Sequence, residues 1–172
     1  MKKHYLFLLF AILALTPGTR ATTVVPPTFD ELVDQAQVII QGKVTEVRSQ
    51  WTGEGAQRYI VSYVTFRVEE SLKGNSGQTY TIRMFGGTVD DESMGVSDAP
   101  EFVPGDRDIL FVQNNGSQFI PLVGIMHGRF HVQRDQSGHE SVLTNEGQSV
   151  SPLAAFKGAV RTKLGGGANP VQ

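Results

Sequence analysis

The chain lacks cysteine altogether and has only one tryptophan among its 172 residues. Without cysteine it can form no disulfide framework, use no thiolate chemistry and carry no lipid on a cysteine. It also lacks a run of basic residues, and its formal net charge is −2. Nucleic acids and anionic membranes are therefore poor candidates for its partner. Because no disulfide is possible, the fold must be stabilised by non-covalent packing alone.

Long hydrophobic runs are scarce as well. Residues 5–15 form an apolar stretch that is too short for a permanent membrane span, which needs about 20 residues. Lysines occupy positions 2–3, and the Thr-Arg-Ala sequence at 19–21 places small residues where a signal peptidase reads them. We therefore predict a cleavable signal peptide over residues 1–21 and a secreted or periplasmic protein that begins at Thr22. No second stretch predicts a membrane span.

The mature sequence predicts one domain over residues 22–164, followed by a flexible tail over 165–172. Thr28-Phe29-Asp30-Glu31 matches a capping box and predicts a short helix over 28–36. A second helix is predicted to open at Ser151-Pro152, since Pro is favoured at the first helical position. Its apolar stripe consists of Leu153, Phe156, Val160 and Leu164.

Between the helices, β-branched and alternating segments predict strands. The segments are 38–47, 58–72, 79–85, 107–113, 118–122 and 128–132, with a long loop and an edge segment over 88–105. Gly42 within the first of them suggests a bulge or bend. Long strands, glycine bends and hairpins favour a small, closed, OB-like β-barrel of five to six strands. A flat sandwich is the alternative.

The sequence offers little that predicts an enzyme. His127 and His131 are four apart in a segment that reads as strand, so their rings would lie about 13 Å apart, too far to share one metal ion. The acidic cluster 90–92 lacks the alternating oxygen ligands of a calcium loop. Gly86-Gly87-Thr88 resembles an anion-binding turn, but no Lys-Ser/Thr follows as in a P-loop. We therefore predict no catalytic residue, no cofactor and no metal site of its own.

Trp51, close to Arg48 in sequence, is an isolated candidate. A tryptophan beside a cation could contact a carbohydrate or a protein partner, because its ring combines an apolar body with a polar N–H. The alternative is that Trp51 closes one end of the barrel.

The order of several short motifs resembles a known family. The motifs are Thr22-Thr23-Val24-Val25-Pro26-Pro27, the strand Val38-Ile39-Ile40-Gln41-Gly42-Lys43-Val44, the strand end Leu72-Lys73-Gly74 and the strand Ile109-Leu110-Phe111-Val112. Together, over roughly residues 22–125, they resemble the netrin-like OB-fold domain of the tissue inhibitors of metalloproteinases. Members of that family begin Cys-Thr-Cys-Val-Pro.

The resemblance implies a binding mode at the mature N-terminus. In the family, the first α-amino group and carbonyl chelate the catalytic zinc of the protease, and the second residue fills a specificity pocket. Thr22 would then supply both zinc ligands from its backbone, and Thr23 the pocket side chain. Support would come from Val24 and Val25, and from the loop near Gly86 and Gly87.

This chain departs from the family at its two N-terminal cysteines, which are replaced by Thr22 and Val24. No disulfide can pin the terminus, and the stretch 22–27 could instead be an extended spacer behind the signal peptide. The expected function is non-enzymatic inhibition or regulation of a secreted zinc metalloprotease by a monomer. The alternative is a cell-envelope module that binds protein or glycan through the barrel face or the 88–104 loop. An unrecognised hydrolase is a third class, which would require a polar pocket with a perturbed acid or histidine.

Overall fold

The structure, a computed structural model, describes residues 25–97 and 99–166. The predicted signal peptide, the partner-binding candidates Thr22, Thr23 and Val24, and residues 167–172 lie outside the described part. Two α-helices and nine β-strands are present within it. They are α1 (Phe29–Gln35), β1 (Val38–Thr52), β2 (Tyr59–Lys73), β3 (Thr79–Phe85), β4 (Gly87–Val89), β5 (Glu92–Met94), β6 (Arg107–Val112), β7 (Arg129–Arg134), β8 (Glu140–Thr144), β9 (Ser149–Pro152) and α2 (Leu153–Gly166), with a 3₁₀ turn at Gly55–Gln57.

Seven of the strands form one antiparallel sheet in the order β3-β2-β1-β6-β7-β8-β9, and β4 pairs with β5 in a separate hairpin. Strands β1 to β3 follow one another, and β6 returns over a long connection to lie beside β1. This 4-1-2-3 arrangement is a Greek key. The predicted mainly β fold with a helix near each end is confirmed. Within residues 25–97 and 99–166 the strand pairing leaves β3 and β9 as the sheet edges, and closure into an OB-like barrel stays a prediction.

Helix α1 begins as its sequence predicts. The backbone N–H of Thr28 donates to Oε2 of Glu31 at 2.7 Å, and the N–H of Glu31 donates to Oγ1 of Thr28 at 3.3 Å. These reciprocal bonds satisfy two of the amides that a helix start leaves open. The N–H of Thr28 also holds the pKa of Glu31 below its ordinary value. The cap fixes where the chain enters the domain.

The first part of β1, up to Val44, and strand β6 are buried on both faces, so the sheet separates two cores. On one face Ile39, Ile109 and Phe111 pack against the two helices. On the other, Ile40 and Leu110 pack against side chains of β2, β3 and the loops. β1 also shifts register between Gln41 and Gly42, which confirms the predicted irregularity at that glycine.

The structure corrects the sequence reading in the long connections. The segment 88–105 was predicted as a long loop with an edge segment, and the structure makes its first residues part of the separate β4–β5 hairpin. The predicted strand at 118–122 is wrong: Leu122 makes one isolated bridge with Val112, and the preceding residues form turns. The residues before Leu122 lie beside β3 instead, where the carbonyl of Phe119 accepts a 2.7 Å hydrogen bond from the N–H of Phe85.

The end of the chain also differs from the prediction. Strands β8 and β9 were not predicted; both are short and mostly polar. Helix α2 begins at Leu153 after Pro152, and it continues through Gly165 and Gly166, two residues beyond the predicted end of the domain. Glycine weakens a helix interior without forbidding it.

Candidate partner-binding surface

The first described residues, 25–27, lie at one corner of the domain. Val25 is 81% exposed, so the chain reaches this corner from solvent. Pro27 then packs on Gly124: a Cβ at position 124 would lie 2.9 Å from Cγ of Pro27. Gly124 also has a φ of 62°, a conformation that favours glycine. The N-terminal segment is therefore packed against a turn, at a place where no disulfide is available.

The neighbouring residue in that turn, Ile125, is unusual. It has a φ of 61° although it is β-branched, and its side chain is 45% exposed. Such a conformation is uncommon for any residue with a Cβ and is a genuine outlier for isoleucine. Its N–H donates to the carbonyl of Leu122, and the N–H of His127 donates to that of Gly124. These bonds hold an apolar side chain outward beside the N-terminus.

A cavity of about 460 Å³ lies at this corner, and we call it the terminal groove. It joins the N-terminal segment and α1 to the turn after Leu122 and, through Ser97, to the 88–104 loop. Its lining residues are Val25, Pro27, Glu31, Gln35, Ser97, Gly124, Ile125, Met126 and His127. Elements that are far apart in sequence therefore meet beside Val25 and Pro27.

A second cavity of about 460 Å³, the hairpin cleft, lies between the β4–β5 hairpin, residues 95–103 and the sheet. The predicted site residues Gly86 and Gly87 line it. The hydroxyl of Ser62 donates to the carbonyl of Gly86 at 2.7 Å and lies 2.9 Å from the hydroxyl of Ser49. A Cβ at Gly87 would come within 2.2 Å of the Ser62 oxygen. The two glycines thus let the hairpin approach the sheet closely.

The rim of the hairpin cleft is apolar and open to solvent. Val47, Met94, Val96 and Val103 are exposed there. Val96 of this rim is followed in the chain by Ser97, which lines the terminal groove. Of the predicted residues, the structure brings Gly86 and Gly87 together in the hairpin cleft and places Val25 in the terminal groove. The sequence did not single out Ile125, and only its place between Gly124 and a polar turn could have signalled a loop.

A buried cation holds the far wall of the hairpin cleft. The guanidinium of Arg129 lies 2.9 Å from Oδ2 of Asp106 and 3.1 Å from Oδ2 of Asp108. It donates to the carbonyl of Glu101 and lies 4.0 Å from the ring centroid of Phe102. The side chain of Arg129 is almost fully buried. This cluster fixes residues 101–106 against β6 and β7.

The histidines contribute no metal site in the described ranges. Nδ1 of His131 lies 2.9 Å from Oδ1 of Asp108, without the alignment of a hydrogen bond. His127 belongs to the terminal groove instead. Within residues 25–97 and 99–166, no three His, Asp or Glu side chains gather in a way that could hold a metal ion. No sequence pattern predicts the pairing of Asp108 with Arg129, because their strands are joined by a long irregular segment.

The remaining sequence candidates occupy separate places. The acidic cluster 90–92 forms the exposed turn of the β4–β5 hairpin. Trp51 lies near the end of β1, with the guanidinium of Arg58 4.0 Å from its ring centroid. Neither faces the terminal groove.

In comparisons with known proteins, no family model, curated protein or solved structure matches the chain, so no relative indicates its function. In the described part of the chain, neither helix is long and apolar enough to cross a membrane. The function therefore has to be inferred from the surface of this chain.

Proposed function

We propose that the protein is an exported, non-enzymatic, OB-like binding protein that inhibits a secreted zinc metalloprotease through its mature N-terminus. The observation that carries this proposal is the exposed N-terminal segment packed on a turn, with an apolar groove beside it. The Greek-key order of β6, β1, β2 and β3 supports the OB-like description, because OB folds are Greek-key barrels.

The chemistry needs only backbone atoms at the first residue. The neutral α-amine and the carbonyl oxygen of Thr22 would occupy the position of the protease's zinc-bound water. Thr23 would enter the neighbouring specificity pocket, and Val24 and Val25 would continue along the protease. Any loss of conformational freedom in residues 22–24 on binding would reduce affinity. The packing of Pro27 on Gly124 lowers that cost by restricting the chain three residues after Val24.

The test uses the mature protein with an unmodified Thr22. We expect inhibition of zinc metalloproteases from the secreted fraction of its host, measured as an inhibition constant. One extra alanine before Thr22 removes the correctly placed amine and should weaken inhibition by at least about 100-fold, or about 2.7 kcal/mol. The matched control carries the same alanine after Gln172. Unchanged inhibition in the N-terminal variant, or no inhibition by the mature protein, would refute the proposal.

The second candidate is a cell-envelope interaction module that binds a protein through the 88–104 loop. It is favoured by the exposed apolar rim of the hairpin cleft, at Val96 and Val103. This function needs no amine, so the alanine before Thr22 would leave it intact. Replacing Val96 with Asp should abolish it, because a charge would then have to be desolvated in the interface.

A further inference from the structure

The outward face of β1, β2 and β3 carries a row of cations and an aromatic side chain. Tyr63 of β2 is paired with Arg48 of β1 on one side and with Arg83 of β3 on the other. Directly paired residues in an antiparallel sheet share a face. The guanidinium of Arg48 lies 5.6 Å from the centroid of the Tyr63 ring. The row therefore reads Arg-Tyr-Arg across three strands.

Three further rings continue this surface. The rings of Tyr59 and Phe85 stack with their centroids 5.8 Å apart, and Phe119 lies 5.2 Å beyond Phe85. Nη2 of Arg83 donates to the hydroxyl of Tyr59 at 3.3 Å, which ties the two rows together. Phe119 is 69% exposed. We call this set the aromatic face; its members are Arg48, Tyr59, Tyr63, Arg83, Phe85 and Phe119.

The arginines of the aromatic face are not neutralised by the protein. Among the described residues, neither Arg48 nor Arg83 forms an ion pair, although other arginines and lysines make nine such contacts with carboxylates. Glu46 precedes Arg48 by two positions and is paired with Thr65, in the next row of the sheet. An anionic ligand would thus find two guanidinium groups in one row. Guanidinium groups bind carboxylates in a bidentate manner.

The neighbouring sheet edge is closed to an added strand. The N–H of Phe85 donates to the carbonyl of Phe119, and the N–H of Arg83 donates to Oδ1 of Asn115 at 2.9 Å. A peptide that joins a sheet as an extra strand needs such amides. The ligand of this region is therefore expected on the face, where rings and guanidinium groups are presented, and not at the edge.

We propose that the aromatic face binds an acidic polysaccharide built from uronic acid units. The apolar faces of the sugar rings would pack on Tyr63 and Phe119, while their carboxylates bind Arg48 and Arg83. Tyr59 and Tyr63 are four residues apart on one strand, a separation of about 13 Å, which suits a polymer better than a single sugar. The proposal does not rest on protease inhibition, because it uses neither the N-terminal segment nor Gly86 and Gly87. The hairpin cleft lies on the opposite face of these strands at Ser62 and Met84, and Phe85 is the one member of the aromatic face that also lines it.

The test measures binding of the mature protein to polygalacturonate and to alginate by calorimetry, with dextran as the uncharged control. Arg48→Gln combined with Arg83→Gln should weaken binding at least about 10-fold, and Phe119→Ser should do the same at a salt concentration that screens charge. Arg134→Gln, at the other end of the sheet, is the matched control and should bind like the wild type. Circular dichroism checks that each variant is folded.

Three results would overturn the proposal. The first is no binding to either polyuronate. The second is an equal loss in Arg134→Gln, which would mean that overall charge and not this face attracts the polymer. The third is equally tight binding of single-stranded DNA or an acidic protein, which would show that the face accepts any polyanion.

Discussion

The two ends of the sheet use their charged side chains differently. Around β6, β7, β8 and α2 the cations are paired: Arg107 lies 2.7 Å from Glu69 and 2.6 Å from Glu140, and Lys157 lies 2.8 Å from Glu70. At the other end, the arginines of the aromatic face lie beside rings without a carboxylate partner. Arginines occur at both ends, so the residue type does not decide the role. An arginine paired with a carboxylate stabilises the fold, whereas one without such a partner is available to bind a ligand.

The paired end also anchors the last helix. Nζ of Lys157 donates to Oε1 of Gln41 at 3.0 Å, and the amide of Gln41 donates to Glu69 at 2.6 Å. Arg161 adds a further contact to Glu70. Charge thus connects α2 to β1 and β2 beside the apolar helix-side core. On the aromatic face, in contrast, stability has to come from packing.

The largest effect is expected at the buried cation of the paired end. Arg129→Met should lower the free energy of unfolding by about 3–5 kcal/mol, because it leaves the fully buried Asp108 without its partner. The same change at Arg83, on the aromatic face, should alter stability by only about 0.5 kcal/mol. Urea unfolding followed by Trp51 fluorescence measures both. Equal losses of unfolding free energy in the two variants would mean that the arginines at the two ends do not differ in their contribution to stability.

The next largest effect tests packing beneath the hairpin. Gly87→Ala should cost about 1–3 kcal/mol, because its Cβ would overlap the hydroxyls of Ser62 and Ser49 and its φ is 131°. Gly95→Ala is the matched control, since a Cβ there meets nothing within 4 Å. Thermal unfolding compares them. A stable Gly87→Ala protein would mean that the hairpin moves away from the sheet without cost.

Much of the fold could be predicted from local patterns. The capping box at Thr28 placed α1, and alternation placed β3 over 79–85 as observed. These signals are local, because a cap or an alternating strand is encoded by adjacent residues. The short polar strands β8 and β9 carry no such signal and depend on their neighbours in the sheet.

The candidate surfaces were less accessible to sequence reasoning. Gly86 and Gly87 stood out as a turn, but their approach to Ser62 depends on long-range folding. The aromatic face could not be predicted from the sequence for the same reason, since Arg48 and Arg83 lie on different strands on either side of Tyr63. The strained Ile125 looks ordinary in the sequence, because backbone conformation at such a position is imposed by its surroundings.

The smallest expected effect is the dependence of stability on pH in the acidic range. Hydrogen bonds from Arg107 hold the pKa values of Glu69 and Glu140 below their ordinary range. Because the folded-state values are lowered, these carboxylates stabilise the protein above the unfolded pKa of about 4.3, and the benefit is lost as the pH falls through the folded values.

Arg107→Met should therefore cost about 1–2 kcal/mol at pH 7, and its difference from the wild type should shrink as the pH falls from 5 to 3. Urea midpoints across this range measure that convergence. Arg83→Met should instead run parallel to the wild type at every pH, since its guanidinium binds a tyrosine hydroxyl and no carboxylate. A difference for Arg107→Met that stays constant from pH 7 to 3 would mean that Arg107 acts through packing of its side chain, and the paired end would then resemble the aromatic face.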